Sequence, residues 1–421
     1  MSFPRYPIYK DSGVEWLGEV PGHWEVVQFK QFVDIQNGSD HKHVEQDEGY
    51  PVFGSGGVFT HASDYLYDGE SLLLGRKGTI DKPLHVTGRF WTVDTMYWTK
   101  INPTTSGRFI FYSALTIPFD YYSTNTALPS MTKAALNGHQ VTRPPLIEQT
   151  QIAAFLDRET AKIDGLVAEQ RRLMALLKEK RQAVISHAVT RGLNPHAPMK
   201  PSGIEWLGDV PEHWEVIALK RIADVQTGVA KGKDHGNRNT ITVPYLRVAN
   251  VQDGYLDLET VATMDIPAED LQRYALQPGD VLMNEGGDFD KLGRGHVWDG
   301  QIDPCITQNH VFAVRPRNVT SAWLNAITGS DFAQFYFMTR SKQSTNLASI
   351  SSTNLMELPV VLPPESEQKS ILMFIADQSA RFDTLKTEAQ RAIDLLQERR
   401  TALISAAVTG QIDVRGAVNP L

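Results

Sequence analysis

A fifteen-residue block of this 421-residue chain is written twice. Ser12-Gly13-Val14-Glu15-Trp16-Leu17-Gly18-Glu19-Val20-Pro21-Gly22-His23-Trp24-Glu25-Val26 recurs as Ser202-Gly203-Ile204-Glu205-Trp206-Leu207-Gly208-Asp209-Val210-Pro211-Glu212-His213-Trp214-Glu215-Val216. The likeness runs on through Lys30 and Lys220 to Gln36-x-Gly38 and Gln226-x-Gly228. Two tryptophans held at one spacing in both copies mark a true repeat, which constrains the architecture before any local propensity is weighed. A second pair of blocks follows. Pro144-Pro145-Leu146-Ile147-Glu148-Gln149 answers to Pro363-Pro364-Glu365-Ser366-Glu367-Gln368, and Val184-Ile185-Ser186-His187-Ala188-Val189-Thr190 to Leu403-Ile404-Ser405-Ala406-Ala407-Val408-Thr409. The first block recurs 190 residues on (Ser12 to Ser202) and the second 219 residues on (Glu148 to Glu367), so the stretch between them is 29 residues longer in the second copy. The order is A–B–A′–B′, with the A interiors free to vary.

The B segments predict long helices. Residues 147–190 contain no proline and one glycine, Gly165, among many good helix formers. Leu156, Ile163, Leu166, Leu173, Leu177 and Val184 fall on one seam of period 3.5, and Ile375, Phe382, Leu385, Leu396 and Leu403 occupy the same register in the second copy. Gln170, Lys180, Ala389 and Arg399 interrupt the seams. Each helix would be roughly 60 Å long at 1.5 Å per residue. Two arms in a bundle would fit this pattern; the internal repeat favours two helices pairing with each other, antiparallel, as a rigid pseudo-two-fold spacer.

The A interiors carry strand signals. The first copy offers Tyr50-Pro51-Val52-Phe53, Ser71-Leu72-Leu73-Leu74 and Phe90-Trp91-Thr92-Val93, and the second Val243-Pro244-Tyr245-Leu246-Arg247-Val248, Asp280-Val281-Leu282-Met283 and His310-Val311-Phe312-Ala313-Val314. Asp68-Gly69-Glu70 and Pro278-Gly279-Asp280 read as corresponding turns before corresponding strands. The fold class expected is therefore α+β: two similar mixed α/β domains separated by two long helices pairing as an antiparallel coiled coil. The boundaries expected are 1–143, 144–195, 196–362 and 363–421.

Composition bounds the function. With 41 % apolar and 21 % charged residues the chain is an ordinary globular one, and no stretch approaches the roughly 20 apolar residues of a membrane span. The N-terminus lacks a charged segment followed by an apolar run, so no secretory signal is expected. A lone cysteine, Cys305, makes no internal disulfide and reads as a small core residue; a reducing cytoplasm is the expected compartment. The formal charge of −8 argues against indiscriminate coating of nucleic acid, which needs a basic surface, but not against local basic patches.

Catalytic motifs are missing. No Asp/Asn-Pro-Pro-Phe/Tyr tetrapeptide, as used by amino-methyltransferases, is present; the nearest strings are Asn102-Pro103-Thr104 and Asn194-Pro195-His196. Gly228-Val229-Ala230-Lys231-Gly232-Lys233-Asp234 is one residue short of a phosphate loop and lacks its hydroxyl, and Gly54-Ser55-Gly56-Gly57 reads as a turn. His41-Lys42-His43 reads as a solvated loop rather than a metal site, and Glu285-Gly286-Gly287-Asp288-Phe289-Asp290 as a polar turn rather than a magnesium pocket. What remains is a set of basic and amide residues on glycine-punctuated loops: Arg76, Lys77, Lys133 and Arg143 in the first copy, and Lys231, Lys233, Arg238, Arg247, Asn250, Lys291 and Arg294 in the second. Arg and Lys neutralise phosphates or fork onto guanine, and Asn can read adenine. Any one of them taken singly is more often a surface charge, but such loops occur in both copies, where the copies diverge. Two like domains with different reading loops on a helical spacer suit a split, asymmetric DNA site.

On Gly-x-Glu-Trp-Leu-Gly-x-Val-Pro-x-His-Trp in both copies, Pro-Pro-x-x-Glu-Gln before each helix and the Ile-Ser-x-Ala-Val-Thr ends, the chain resembles the specificity subunits of Type I restriction–modification systems over essentially its whole length. The resemblance implies two target recognition domains, each reading half of a split DNA sequence, with the helices as the ruler of the gap. It implies a non-catalytic chain that positions adenine for two modification subunits and joins two ATP-dependent restriction subunits. S-adenosylmethionine, ATP and magnesium would then be held by those partners and no cofactor by this chain. Tight DNA binding is expected only after the modification subunits join. The readings set against this are a coiled-coil adaptor that binds no DNA, an inactive orphan subunit, and a self-contained methyltransferase or nuclease, for which the motifs are lacking.

Overall fold

The computed structural model describes residues 3–123, 129–232, 236, 238–287, 292–344 and 347–417. The chain forms two compact units, Met1–Arg171 with Gln390–Leu421, and Arg172–Ala389. No helix among the described residues is long and apolar enough to cross a membrane.

In the first unit an antiparallel sheet runs in the order Val33–Asn37, Met96–Ile101, Ser71–Gly75, Leu84–Val86. Ser-Leu-Leu-Leu-Gly is buried at every position, as an inner strand covered on both faces requires. Beside it, Tyr50–Gly54 pairs antiparallel with Gly57–Ala62 and parallel with Arg89–Thr92. A helix capped by Ser106, Gly107–Ala114, buries Phe109 and Ile110 in the same core. Strand Gln140–Arg143 pairs with Glu25–Gln28 and leads into the first long helix, Leu146–Arg191.

The second unit repeats each of these features. Its sheet runs Ala223–Thr227, Val311–Pro316, Val281–Asn284, Gly295–Val297. Thr240–Leu246 lies between antiparallel Ala262–Pro267 and parallel Ile306–Thr307. The helix capped by Thr320 is Ser321–Thr328, and Glu215–Ala218 pairs with Pro359–Leu362 before the second long helix, Glu365–Val408. The divergent interiors share one topology, and the strands fall where the sequence puts them.

Packing explains the repeated words. In the first unit Glu148 accepts the indole N–H of Trp24 at 3.0 Å and lies 2.7 Å from His23 Nε2. In the second, Glu367 accepts from Trp214 at 3.0 Å and lies 2.8 Å from His213 Nε2. The His-Trp pair of one block is thus the partner of the Glu in the other. Both indoles are fully buried, so each needs that acceptor. The glycine after each helix closes the far side. A Cβ on Gly410 would come within 2.9 Å of the Trp24 ring, and one on Gly192 within 3.1 Å of the Trp214 ring; both residues hold positive φ. Trp24 is therefore clamped between the start of the first long helix and the end of the second, and Trp214 between the start of the second and the end of the first. The Gln-x-Gly ending has its own cause: a Cβ on Gly38 would meet the Val93 carbonyl oxygen at 2.0 Å, and one on Gly228 the Thr307 oxygen at 2.2 Å.

The helices run antiparallel in each unit. Asp164 pairs with Arg400 at 2.9 Å in the first, and Arg181 with Asp383 at 2.8 Å in the second. The seam differs from the strict heptad reading. Leu156, Ile163 and Phe382 are buried, Leu177, Val184, Ile375, Leu396 and Leu403 are half-buried, and Leu166, Leu173 and Leu385 are exposed at 51, 42 and 45 %. The buried faces instead take in Ile152, Thr160 and Val167 on the first helix and Ala389, Ile393 and Ile404 on the second. At about 100° per residue the buried stripe is centred on the row of Leu156 and Ile163, and on that of Phe382, Ala389 and Ile393, so Leu166, Leu173 and Leu385 of the other row fall at its edge. Ala389, read as an interruption, is buried.

The units differ at a half-buried junction. In the first, Asp157 accepts from Tyr112 Oη at 2.7 Å and from the Arg108 guanidinium, and Tyr112 Oη lies 3.1 Å from Thr160 Oγ1. The corresponding positions in the second unit are Ala322, Ala326, Ala376 and Ser379. All four line a groove of about 1430 Å³ there.

Candidate nucleic-acid interface

In each unit the variable loops converge on one edge of the sheets. In the first, Gly38 N–H donates to the Met96 carbonyl, Ser39 N–H to Thr92, Val93 N–H to Phe53 and Arg76 N–H to Thr95. The loop after Ser71–Gly75 is zipped to a distant segment: Lys77 bridges Ser130, Gly78 N–H donates to Pro129 and Met131 N–H to Arg76. Ser55 Oγ of the Gly54–Gly57 turn lies 3.8 Å from where a Gly78 side chain would start. In the second unit Val229 N–H donates to Thr307, Gln308 N–H to Leu246, Glu285 N–H to His310 and Ile350 N–H to Glu285. The two loop meshes are built alike.

Arg76, Lys77 and Lys133 come together on the first mesh. Arg76 donates to the Asp94 carbonyl at 3.3 Å and sits 5.9 Å over the Tyr97 ring. Lys77 is exposed, and Lys133 opens the short helix capped by Thr132. Neither lysine has a carboxylate partner among the described residues. Lys231 is exposed on the second mesh. Arg247 follows strand Thr240–Leu246, with its Nε buried and unpartnered among the described residues. Lys233 and Lys291 lie outside the described residues, as do Asp288 and Asp290 of the acidic turn.

The remaining candidates are engaged elsewhere. Arg143 is forked onto Glu25 and reaches Gln31 at 3.1 Å, tying its strand to Glu25–Gln28. Arg294 pairs with Asp253 at 2.8 Å with 17 % of its side chain exposed, and Arg238 approaches Glu269 at 3.8 Å. Asn250 is buried. Its Oδ1 accepts from Arg247 N–H, and its Nδ2 donates to the Asp257 and Thr260 carbonyls, so its amide shapes the loop. No sequence signal distinguishes these residues from the free ones: Arg143 and Arg294 find their partners far along the chain, and Asn250 finds its own in the fold of its loop. His41 packs edge-on to Phe59 at 5.2 Å and His43 against Trp91 at 5.5 Å, which accounts for both.

Two other titratable groups are set by burial. His139 lies under Trp16, rings nearly parallel at 5.6 Å, and burial pushes its pKa down to about 4. Burial pushes the Cys305 thiol up to about 12.

Comparisons with known proteins converge. The sequence pattern described as the Type I restriction modification DNA specificity domain matches residues 21–171 and 211–394. The EcoKI specificity subunit of Escherichia coli strain K12 is 25 % identical over 286 residues, 66 % of this chain and 59 % of that protein. The MjaVIII specificity subunit of Methanocaldococcus jannaschii is 23 % identical over 446 aligned positions, 97 % of this chain and 98 % of that protein. The first is thus matched over less than two thirds of its length, the second nearly end to end. A solved chain, described under the structural basis of complex assembly and conformational transition of the type I R-M system, shares the fold. Its TM-score is 0.66 at 16 % identity, over 92 % of this chain and 98 % of that one. Twice-written blocks, twice-built units and a family match over both copies together make this chain a member of the Type I restriction–modification DNA specificity family.

Proposed function

We propose that this chain reads a bipartite, asymmetric DNA site in the cytoplasm, each unit reading one half through its loop mesh and the long helices setting the gap. Two modification subunits would dock along the helices, one near each unit, and methylate adenine at N6; two restriction subunits would join them to cut DNA. S-adenosylmethionine, ATP and magnesium would be bound by those partners. The observation that supports this reading is the contrast within one frame: two meshes with the same backbone bonds carry different side chains, as two different half-sites require.

The test is base-resolution methylation of the host genome with the gene intact and deleted. Loss of one split adenine-methylation motif on deletion is expected, and an unchanged methylome would overturn the proposal. Exchanging residues 30–143 for those of another family member should alter one half-site only. Removing one heptad within 163–184 should shift the gap or abolish methylation.

A further inference from the structure

One backbone site is occupied by opposite charges in the two units. Arg76 follows strand Ser71–Gly75; its N–H donates to the Thr95 carbonyl at 2.9 Å and its carbonyl accepts from Met131 N–H at 2.9 Å. Glu285 follows strand Val281–Asn284; its N–H donates to the His310 carbonyl at 2.9 Å and its carbonyl accepts from Ile350 N–H at 2.9 Å. Each sits between the start of a neighbouring strand (Met96 or Val311) and the segment leading to a capped short helix (Lys133–Gly138 or Ser352–Met356). The surroundings follow the charge. Lys77, which bridges Ser130, has Gly286 as its counterpart, which pairs with Ser349. Lys133, the first residue after the Thr132 cap, has Ser352 after the Ser351 cap.

We propose that Arg76 and Glu285 are corresponding specificity determinants, Arg76 reading a guanine in one half-site and Glu285 accepting from the N4 amine of a cytosine in the other. This rests on the reading that the loop meshes face DNA. A carboxylate there cannot take a phosphate contact, because like charges repel. In the major groove the base-edge donors are the cytosine N4 and adenine N6 amines. Adenine also presents the N7 acceptor beside its amine, and a carboxylate is acceptor-only, so cytosine, with a C–H beside its amine, is the better match. His310 Nδ1 lies 3.4 Å from Glu285 Oε2, and Oε1 has no partner among the described residues. Arg76 offers donors where guanine offers O6 and N7, with Lys77 and Lys133 alongside for phosphates.

The test is chromosomal substitution in the host, with the methylome read at base resolution. In Glu285→Gln, whose amide suits adenine, one position of one half-site should move from cytosine toward adenine. Methylation of the original site should fall roughly five- to a hundred-and-fifty-fold, while the other half-site stays unchanged. Arg76→Gln should do the same at a guanine of the opposite half-site. Glu285→Asp, which keeps the carboxylate, should retain the cytosine and shows that the altered chain still assembles. An unaltered motif, a uniform loss over all sequences, or a half-site without a G·C pair would each overturn the assignment. A wild-type genome without any split methylated motif would instead overturn the functional reading beneath it.

Discussion

The Glu148 carboxylate accepts the indole N–H of Trp24 at 3.0 Å across 124 residues of chain. Trp214 and Glu367 repeat the contact in the second unit. Replacing Glu148 by Ala leaves a fully buried donor without an acceptor, a loss of about 1–3 kcal/mol. Chemical denaturation of Glu148→Ala, and separately of Glu367→Ala, should show such a loss. If Glu148→Ala and Trp24→Phe add without coupling, the bond is not what holds the motif in place.

The displaced helix seam makes a contrasting pair of substitutions. Ile163 is 6 % exposed and Leu173 is 42 % exposed. Ile163→Ala should cost about 2–4 kcal/mol through transfer and cavity terms, and Leu173→Ala no more than about 0.5 kcal/mol. Equal losses would restore the strict heptad reading.

His139 gives the first unit a pH dependence of defined sign. Its folded pKa of about 4 lies below the ordinary 6.5, so between these values the unfolded chain binds a proton that the folded one does not. Stability is therefore complete above about pH 6.5 and falls toward pH 4, by about 3 kcal/mol over the window. Thermal unfolding of the wild type and His139→Gln, followed from pH 7.5 to 4.5, should show a gap that narrows as pH falls. A constant gap would remove His139 as the cause.

Cys305 is 1 % exposed, with its thiol held near 12 against an ordinary 9.0. At pH 8 its thiolate fraction is lower than that of a free thiol by roughly a thousandfold. Iodoacetamide should label it in denaturant and leave it unmodified in the folded protein, as read by intact mass; rapid labelling of the native protein would contradict its placement.

Much of this was readable in advance because it is local or repeated. The blocks around Trp24 and Trp214, the proline-free helices, and buried runs such as Ser71–Gly75 each carry their signal in a short window. What escapes is what depends on the folded surroundings of a residue. Nothing near Arg143 announces Glu25, and nothing near Arg294 announces Asp253. Asn250 has the residue type of a base reader, yet its amide is taken up by carbonyls 7 and 10 residues on. The heptad reading fails at Leu166, Leu173 and Leu385 because only one of the two apolar rows of each helix is buried, and which row that is depends on what packs against it. Glu285 reads from the sequence only as part of a polar turn, because a carboxylate in a DNA reader draws notice only beside its counterpart, Arg76.

The clamp on Trp24 also sets an order of events during synthesis. The second unit is one continuous stretch, Arg172–Ala389, whereas the first also needs Gln390–Leu421. Ile404, Ala407, Val408 and Val414 belong to the same buried cluster as Trp24, Phe155 and Leu156. The domain whose translation begins first is therefore the one completed last: its core stays open to water until the segment after residue 389 has been made and has left the ribosome. A chain released early, after residue 389, would carry a finished second unit and a first unit missing one wall.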